Sequence, residues 1–323
     1  MPFPPRTPIR ALARAVTAAL ALGATAAAAG CAQAEAPESI RVGVVALGQI
    51  AVDHAAAEGY FEGALAGVEV EIVQYPSGAT AIPALVAGDL DFLYSNDVSA
   101  GLAISQGLDL RLVAGVDAIG PEYHQVITAS SGGVQSVADL EGRTVAVNAL
   151  HSLAWLGVQV ALREEGADAG SVSFTEVEFP EMSAVMQRGD VAAAEISQPW
   201  GEEAIASGEA VPLFDFADYE QLDGLPVASY YTSGAFAEAQ PEAVAAFDAG
   251  VDLALEDMRA DRDLVADLAV QAAGSTPEAA AVIADSILFV PEQPAAETQR
   301  VYDLMLEFDM LETPLDAERI AVG

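Results

Sequence analysis

The chain has 323 residues, 53% of them hydrophobic, enough apolar material for two domains at the usual ~100–200 residues each. Its charge is lopsided: 49 acidic residues stand against 12 basic ones, a formal net charge of -37, and every basic residue is an arginine. Such a surface repels nucleic-acid phosphates and anionic lipid headgroups, and a chain without lysine excludes chemistry through a lysine imine, such as that of pyridoxal phosphate.

In chain order, Arg6, Arg10 and Arg14 precede an apolar run from Ala15 to Ala29 that holds no acidic residue. A basic start, a short apolar stretch and small residues ahead of a cut site describe a secretory signal. The run is rich in Ala, Thr and Gly and is weak as a permanent membrane span. Cys31, the only cysteine, directly follows Ala28-Ala29-Gly30 and has no partner for an internal disulfide. This arrangement resembles a bacterial lipobox, with alanine where leucine is usual three residues before the cysteine. It implies lipidation of Cys31, a lipoprotein signal peptide over 1–30 and a tether over 31–39. An ordinary signal peptide with an incidental cysteine is the alternative.

Arg41 to Leu47 is a continuous apolar run and predicts a buried strand. Gly48-Gln49-Ile50 is the loop after it, and Val52 to Glu58 predicts a helix stopped by Gly59. Val68 to Val73 predicts a second strand, leading into Gln74-Tyr75-Pro76. Ala79, Ile82, Leu85 and Val86 recur at helical spacing, Gly88 suits a left-handed stop, and Leu90 to Tyr94 predicts a third strand. Ser95-Asn96-Asp97 then lies at that strand's carboxyl end.

The same order returns about a hundred residues later. Arg143 to Leu150 predicts a strand, Trp155 to Glu165 a helix stopped by Gly166, and Phe174 to Pro180 a second strand with its proline corner. Ala184 to Asp190 repeats the Gly-Asp turn, and Val191 to Ile196 predicts the third strand, with Ser197-Gln198-Pro199-Trp200 at its end. Strand, helix, strand, helix, strand predicts a parallel sheet with right-handed crossovers, here twice. Leu110 to Val116 and Tyr123 to Ala129 flank 117–122 and read as the crossing between halves. Ser136 to Gly142 reads as a short capped helix, and Val227 to Ser233 as the return crossing. Helices are predicted over Pro241 to Arg259, Asp263 to Ala273, after the capping box Ser275-Thr-Pro-Glu278, and over Pro294 to Met310. They read as structural.

Several short motifs carry a resemblance: Arg41-Val-Gly-Val, Glu58-Gly-Tyr-Phe-Glu62, Ala84 to Phe92, Ser136 to Gly142, Gly189 to Ala193 with Gln198-Pro-Trp200, and Gln240 to Val244. As an ordered set over 40–260 they are similar to type II periplasmic solute-binding proteins of ABC importers, in the nitrate, sulfonate, taurine and thiamine-pyrimidine binding family. The resemblance implies an α/β fold of two Rossmann-like lobes joined by a two-strand hinge (periplasmic binding protein-like II), with C-terminal helices. It implies lobe 1 over 40–117 and 227–323, lobe 2 over 118–226, and ligand capture between them. It further implies a monomer outside the cytoplasm, anchored to the outer face of the cell membrane by its N-terminal lipid or periplasmic, serving an ABC permease and ATPase, with no cofactor.

Ligands of open parallel sheets sit past the strands' carboxyl ends. That nominates Gln49, Ser77, Ser95, Asn96, Asp97, Asn148, His151, Ser152, Glu195, Gln198 and Trp200 for ligand binding. Ser77 and Asp97 serve equally well as helix caps, His151 as a solvated loop residue, and Trp200 as a core anchor. No candidate loop contains an arginine; Arg41, Arg143 and Arg188 belong to the far edge. Asp97 and Glu195 do lie near strand ends, and a buried carboxylate needs a partner. The expected ligand is therefore a neutral or cationic nitrogen-containing molecule, an amine or a pyrimidine, with an anion such as sulfonate or nitrate as the alternative. His54, His124 and His151 have no metal-ligand spacing, and no Gly-x-Ser-x-Gly elbow is present. An enzyme of pyrimidine-synthase type is disfavoured without a lysine; a lipid-anchored sensor domain is a further alternative.

Overall fold

The computed structural model describes residues 37–322 apart from 46 and 291–293. The signal segment over 1–30, Cys31 and the tether as far as residue 36 lie outside the described residues. The first half opens with β1 (Ser39–Val44), α1 (Ile50–Glu58), β2 (Glu69–Gln74), α2 (Gly78–Ala87), β3 (Phe92–Asn96), α3 (Asp97–Ser105) and β4 (Leu110–Ala118). The chain then builds β5 (His124–Ala129), β6 (Thr144–Val147), α4 (Leu153–Glu164), β7 (Ser173–Glu176), α5 (Phe179–Gln187), β8 (Ala193–Ser197), α6 (Trp200–Ala206) and β9 (Ala210–Asp215). It returns through β10 (Pro226–Ser233) to α7 (Gly234–Ala239), α8 (Pro241–Ala260), α9 (Arg262–Ala273), α10 (Pro277–Ser286), β11 (Leu288–Phe289) and α11 (Pro294–Glu307).

Two sheets result, one in each lobe of an α/β fold. The six-stranded sheet has the order β11-β4-β10-β3-β1-β2 and the five-stranded sheet β7-β6-β8-β5-β9. In both, the first strand of the repeat lies between its second and third, all parallel. Equivalent backbone bonds mark the repeat: Asp91 N donates to Arg41 O and Ala192 N to Thr144 O, while Tyr75 N donates to Val44 O and Val177 N to Val147 O. The repeat departs from the expected alignment at its corner. Pro76 precedes the Ser77 cap of α2, whereas Pro180 lies inside the first turn of α5. Next to each third strand runs one antiparallel strand, β10 in the first sheet and β5 in the second, each following a passage between sheets.

Those passages form the hinge. Residues 119–123 lead from β4 to β5, and 216–225 lead from β9 to β10. They run side by side: Ile119 N donates to Leu225 O at 2.9 Å and Gly224 N to Ile119 O at 3.0 Å. The expected return crossing over Val227 to Ser233 is instead β10, fully buried within the six-stranded sheet. The crossing proper is the irregular segment before it, whose Phe216, Leu222 and Leu225 are buried. Their burial offsets the lack of regular backbone pairing there.

Residues decide the elements in the ordinary way. Ile40, Val42 and Val44 share one face of β1 and are fully buried, following the two-residue period of a strand. The edge strand β2 alternates, with Glu69 and Glu71 outward. Gly59 and Gly88 close α1 and α2 at φ 74° and 79°, where a side chain would be strained. Phe92 of β3 stacks on Phe247 of α8 at 3.8 Å and 7°, and Phe61 stacks on the same ring at 5.6 Å, tying α8 to the sheet. The cap of α10 is Thr276, one residue after the expected Ser275.

Candidate functional site

The carboxyl ends of β1, β3, β6 and β8 converge where the two lobes face each other. There a cavity is lined by Val45, Leu47, Tyr94 and Asn96 from one lobe and by Asn148, Ser152, Phe179, Glu195 and Gln198 from the other, with Tyr123, His124 and Val227 from the hinge side. Gly78 at the start of α2 and Leu153 at the start of α4 complete opposite walls. The space open to water centres is about 50 Å³, room for roughly three to five waters at ~10–15 Å³ each. The cleft is therefore narrow and suits a small guest. Among its described lining residues there is no arginine, and Glu195 is the one carboxylate.

Glu195 is completely buried on β8. Its Oε1 lies 2.7 Å from His124 Nδ1, and its Oε2 has no hydrogen-bond partner. An ionised carboxylate only accepts, so the ring proton belongs on Nδ1, pointing at Oε1. His124 is itself fixed from two sides: Phe216 stacks parallel at 6.0 Å and Tyr123 meets it edge-on at 5.0 Å. A buried carboxylate oxygen without a hydrogen-bond partner is expensive in a dry site. Oε2 is thus a buried polar atom without a partner beside the cavity.

A second buried carboxylate braces the wall. Asp117, at the end of β4, accepts from Tyr94 at 2.9 Å and 3.0 Å, and from Tyr123 at 2.5 Å. Burial pushes its carboxyl up to about 6, against the pull of the two hydroxyls and of His124. Burial and the adjoining Asp117 push both tyrosine hydroxyls well above their usual value, so they stay protonated donors. Two aromatic walls, one from β3 and one from the hinge, are held by the same side chain.

Of the residues nominated from sequence, Asn96, Asn148, Ser152, Glu195 and Gln198 come together in the cavity. Gln198 uses its amide internally, donating to Glu122 O at 2.8 Å and accepting from Glu202 N at 3.0 Å. Asn96 caps α3 through Oδ1, accepting from Ser99 N at 2.8 Å, and Ser152 donates to Ala149 O at 2.8 Å.

The other nominated residues lie elsewhere. Gln49 donates to Ala272 O at 3.1 Å and accepts from Gln74. Ser77 caps α2 by accepting from Thr80 N at 3.3 Å. Ser95 is buried against Gly78, where a Cβ would come within 2.0 Å of its Oγ. Asp97 turns away from the cleft and accepts from Tyr231 at 2.8 Å and Thr298 at 3.1 Å. Burial pushes its carboxyl up to about 6 against those hydrogen bonds. His151 is exposed at φ 55° beside Trp155, and Trp200 stacks behind the lining residue Phe179 at 5.3 Å. Reading the sequence missed Tyr94, Asp117, Tyr123 and His124. Their signal was position: Tyr94 is two residues from a strand end, and the other three flank the crossing.

Comparison with known proteins places this architecture. The family model described as NMT1/THI5 like matches residues 50–263, from the start of α1 into α9. The chain belongs to the NMT1/THI5-like family. Within that family setting, the chain is 27% identical over 196 residues to a protein of Escherichia coli (strain K12) named for binding aliphatic sulfonates. That match spans 60% of this chain and 60% of the relative's length. Among solved structures, the periplasmic aliphatic sulphonate binding protein SsuA from Escherichia coli matches with a TM-score of 0.68 at 24% identity, over 88% of this chain and 97% of that one. The alkanesulfonate-binding protein SsuA from Xanthomonas axonopodis pv. citri, bound to MOPS, has a TM-score of 0.73 at 20% identity, over 88% and 98%. The periplasmic nitrate-binding protein NrtA from Synechocystis PCC 6803 has a TM-score of 0.70 at 13% identity, over 88% and 86%. These likenesses establish the two-lobed periplasmic binding protein fold for this NMT1/THI5-like chain. Among the described residues, no group of three or more His, Cys, Asp or Glu is placed to hold a metal ion, and no helix is long and apolar enough to cross a membrane.

Proposed function

We propose that this chain is the extracytoplasmic solute-binding component of an ABC import system. It captures a small polar solute between two lobes and hands it, unaltered, to a permease and its ATPase. The lobes are 40–117 with 227–323, and 118–226. Cys31, lipidated, anchors a monomer to the outer face of the cell membrane. The solute is nitrogen-bearing and neutral or cationic. One observation carries that choice: Oε2 of Glu195 is buried in the cavity wall without a donor. An amine or an amino-pyrimidine N–H meets that oxygen; a sulfonate or nitrate oxygen meets only repulsion there.

A second reading has support of its own. Relatives are named for sulfonates and nitrate, and the side-chain amides of Asn96 and Asn148 can offer an anion neutral N–H donors. A thermal-shift screen over amines, aminopyrimidines, sulfonates and nitrate separates the two. Ligand at a hundred times its dissociation constant stabilises by about 2.7 kcal/mol. Shifts with the nitrogen bases alone support the first reading; shifts with sulfonates or nitrate alone replace it with the second.

A further inference from the structure

Away from the cleft, three elements meet at one arginine. Arg163 lies near the end of α4, in the lobe of the five-stranded sheet, roughly 14 Å along the helix from the lining residue Ala154. Its Nη1 is 3.0 Å from Oε1 of Glu307, the last residue of α11 in the other lobe. Its Nη2 donates to Gln221 Oε1 in the hinge segment 216–225, and Gln221 Nε2 donates on to Glu307 Oε2 at 3.1 Å. The guanidinium also sits 3.8 Å over the ring of Phe308. About two turns back along α11, Arg300 donates to Gly224 O at 2.8 Å and to Asp223 O at 3.4 Å. The end of α11 is thereby clipped to the hinge from one side and to the opposite lobe from the other.

We propose that Arg163 is the clasp that sets the balance between narrow and wide cleft, and so tunes ligand affinity without touching the ligand. The clasp is closed while the cavity measures about 50 Å³, so its contacts favour the narrow arrangement over any in which the lobes have swung apart. An exposed ion pair and a cation–π contact are each weak, yet lobe equilibria are balanced finely enough for such terms to count. Losing both shifts the narrow-to-wide ratio roughly fivefold. The affinity clause rests on the solute-binding reading; the lobe balance does not.

The test is an inter-lobe distance measurement without ligand. Spin labels go on Val86→Cys of α2 and Val211→Cys of β9, both exposed, in the full chain carrying Cys31→Ser. Arg163→Ala is expected to move the distance distribution toward the wide form, Arg163→Glu to move it further, and Arg163→Glu with Glu307→Arg to bring it back. Single variants whose distributions coincide with the parent's or move to the narrow side overturn the proposal, as does a double variant no closer to the parent than Arg163→Glu. Should a variant fail to fold, Glu307→Gln in the same labelled chain serves instead: it removes the ion pair from the α11 side and widens the cleft, and an unchanged distribution overturns the clasp. No ligand enters the experiment, so its outcome is independent of the solute's identity.

Discussion

Gly157→Ala connects helix packing to the cleft in one step. Gly157 lies in the middle of α4, and a Cβ built there falls 2.2 Å from both Cε2 and Cζ of Phe216. Carbon atoms prefer ~3.5 Å or more, so the ring must retreat by about 1.3 Å. Phe216 has no room to do so: it is fully buried and stacks on His124 and on Phe214. Overpacking of this kind costs about 1–3 kcal/mol, and replacing a mid-helix glycine by alanine returns up to ~1 kcal/mol. A net loss of about 1–2 kcal/mol lowers the melting temperature by roughly 2–8 °C. Displacing Phe216 also releases His124 from its place beside Glu195, so ligand affinity falls with stability. Differential scanning calorimetry reads the first effect and titration calorimetry the second. A melting temperature equal to or above the parent's would refute the claim that Gly157 is required by close packing against the hinge.

Acid should stabilise the folded chain. Asp97 and Asp117 have folded-state pKa values raised to about 6 from 3.8, so their contribution is fully present below ~4 and lost as pH rises through 6. At ~1.4 kcal/mol per pH unit each is worth up to about 3 kcal/mol between pH 4 and pH 7; denaturation midpoints that fall on mild acidification, or that depend on pH in Asp97→Asn and Asp117→Asn chains as steeply as in the parent, contradict this. Arg41→Ala should cost about 2–3 kcal/mol with ligand affinity unchanged, because the guanidinium binds Asp91 and Gly88 O at the sheet edge opposite the cleft; urea titration and calorimetry check the two halves. Ser77→Ala removes the α2 cap and should cost about 1 kcal/mol by the same titration.

Much of the fold was legible because each half of the repeat is punctuated locally. Gly59, Gly88, Gly166 and Gly189 end their helices in the left-handed region, and β-branched runs mark the buried strands. The helix after β3 was not legible. Asp97 to Ser105 buries Val98, Ala100 and Ala103 but also Asp97, Ser99 and Gly101, so small and polar residues cover the pattern that a 3.6-residue period needs. β9 was missed for a related reason, since Val211 and Pro212 face outward on an edge strand. Around the cavity, strand-end logic anticipated that Asn148 and Glu195 line it. It could not decide which side of a strand end a residue takes. Ser95 and Asp97 flank Asn96, yet one packs under Gly78 and the other reaches Tyr231 and Thr298, partners 134 and 201 residues further along the chain. Asp117 and His124 were missed because their partners, Tyr94 and Glu195, lie 23 and 71 residues away along the chain.

The central claim is that an orphan oxygen in the cleft selects the guest. Titration calorimetry of the parent chain and Glu195→Gln with 4-aminopyrimidine, propylamine and propane-1-sulfonate addresses it most directly. A nitrogen base that binds the parent and loses tenfold or more in affinity to Glu195→Gln, with the sulfonate silent against both, is the predicted pattern. Tight sulfonate binding by the parent, with neither nitrogen base bound, contradicts it.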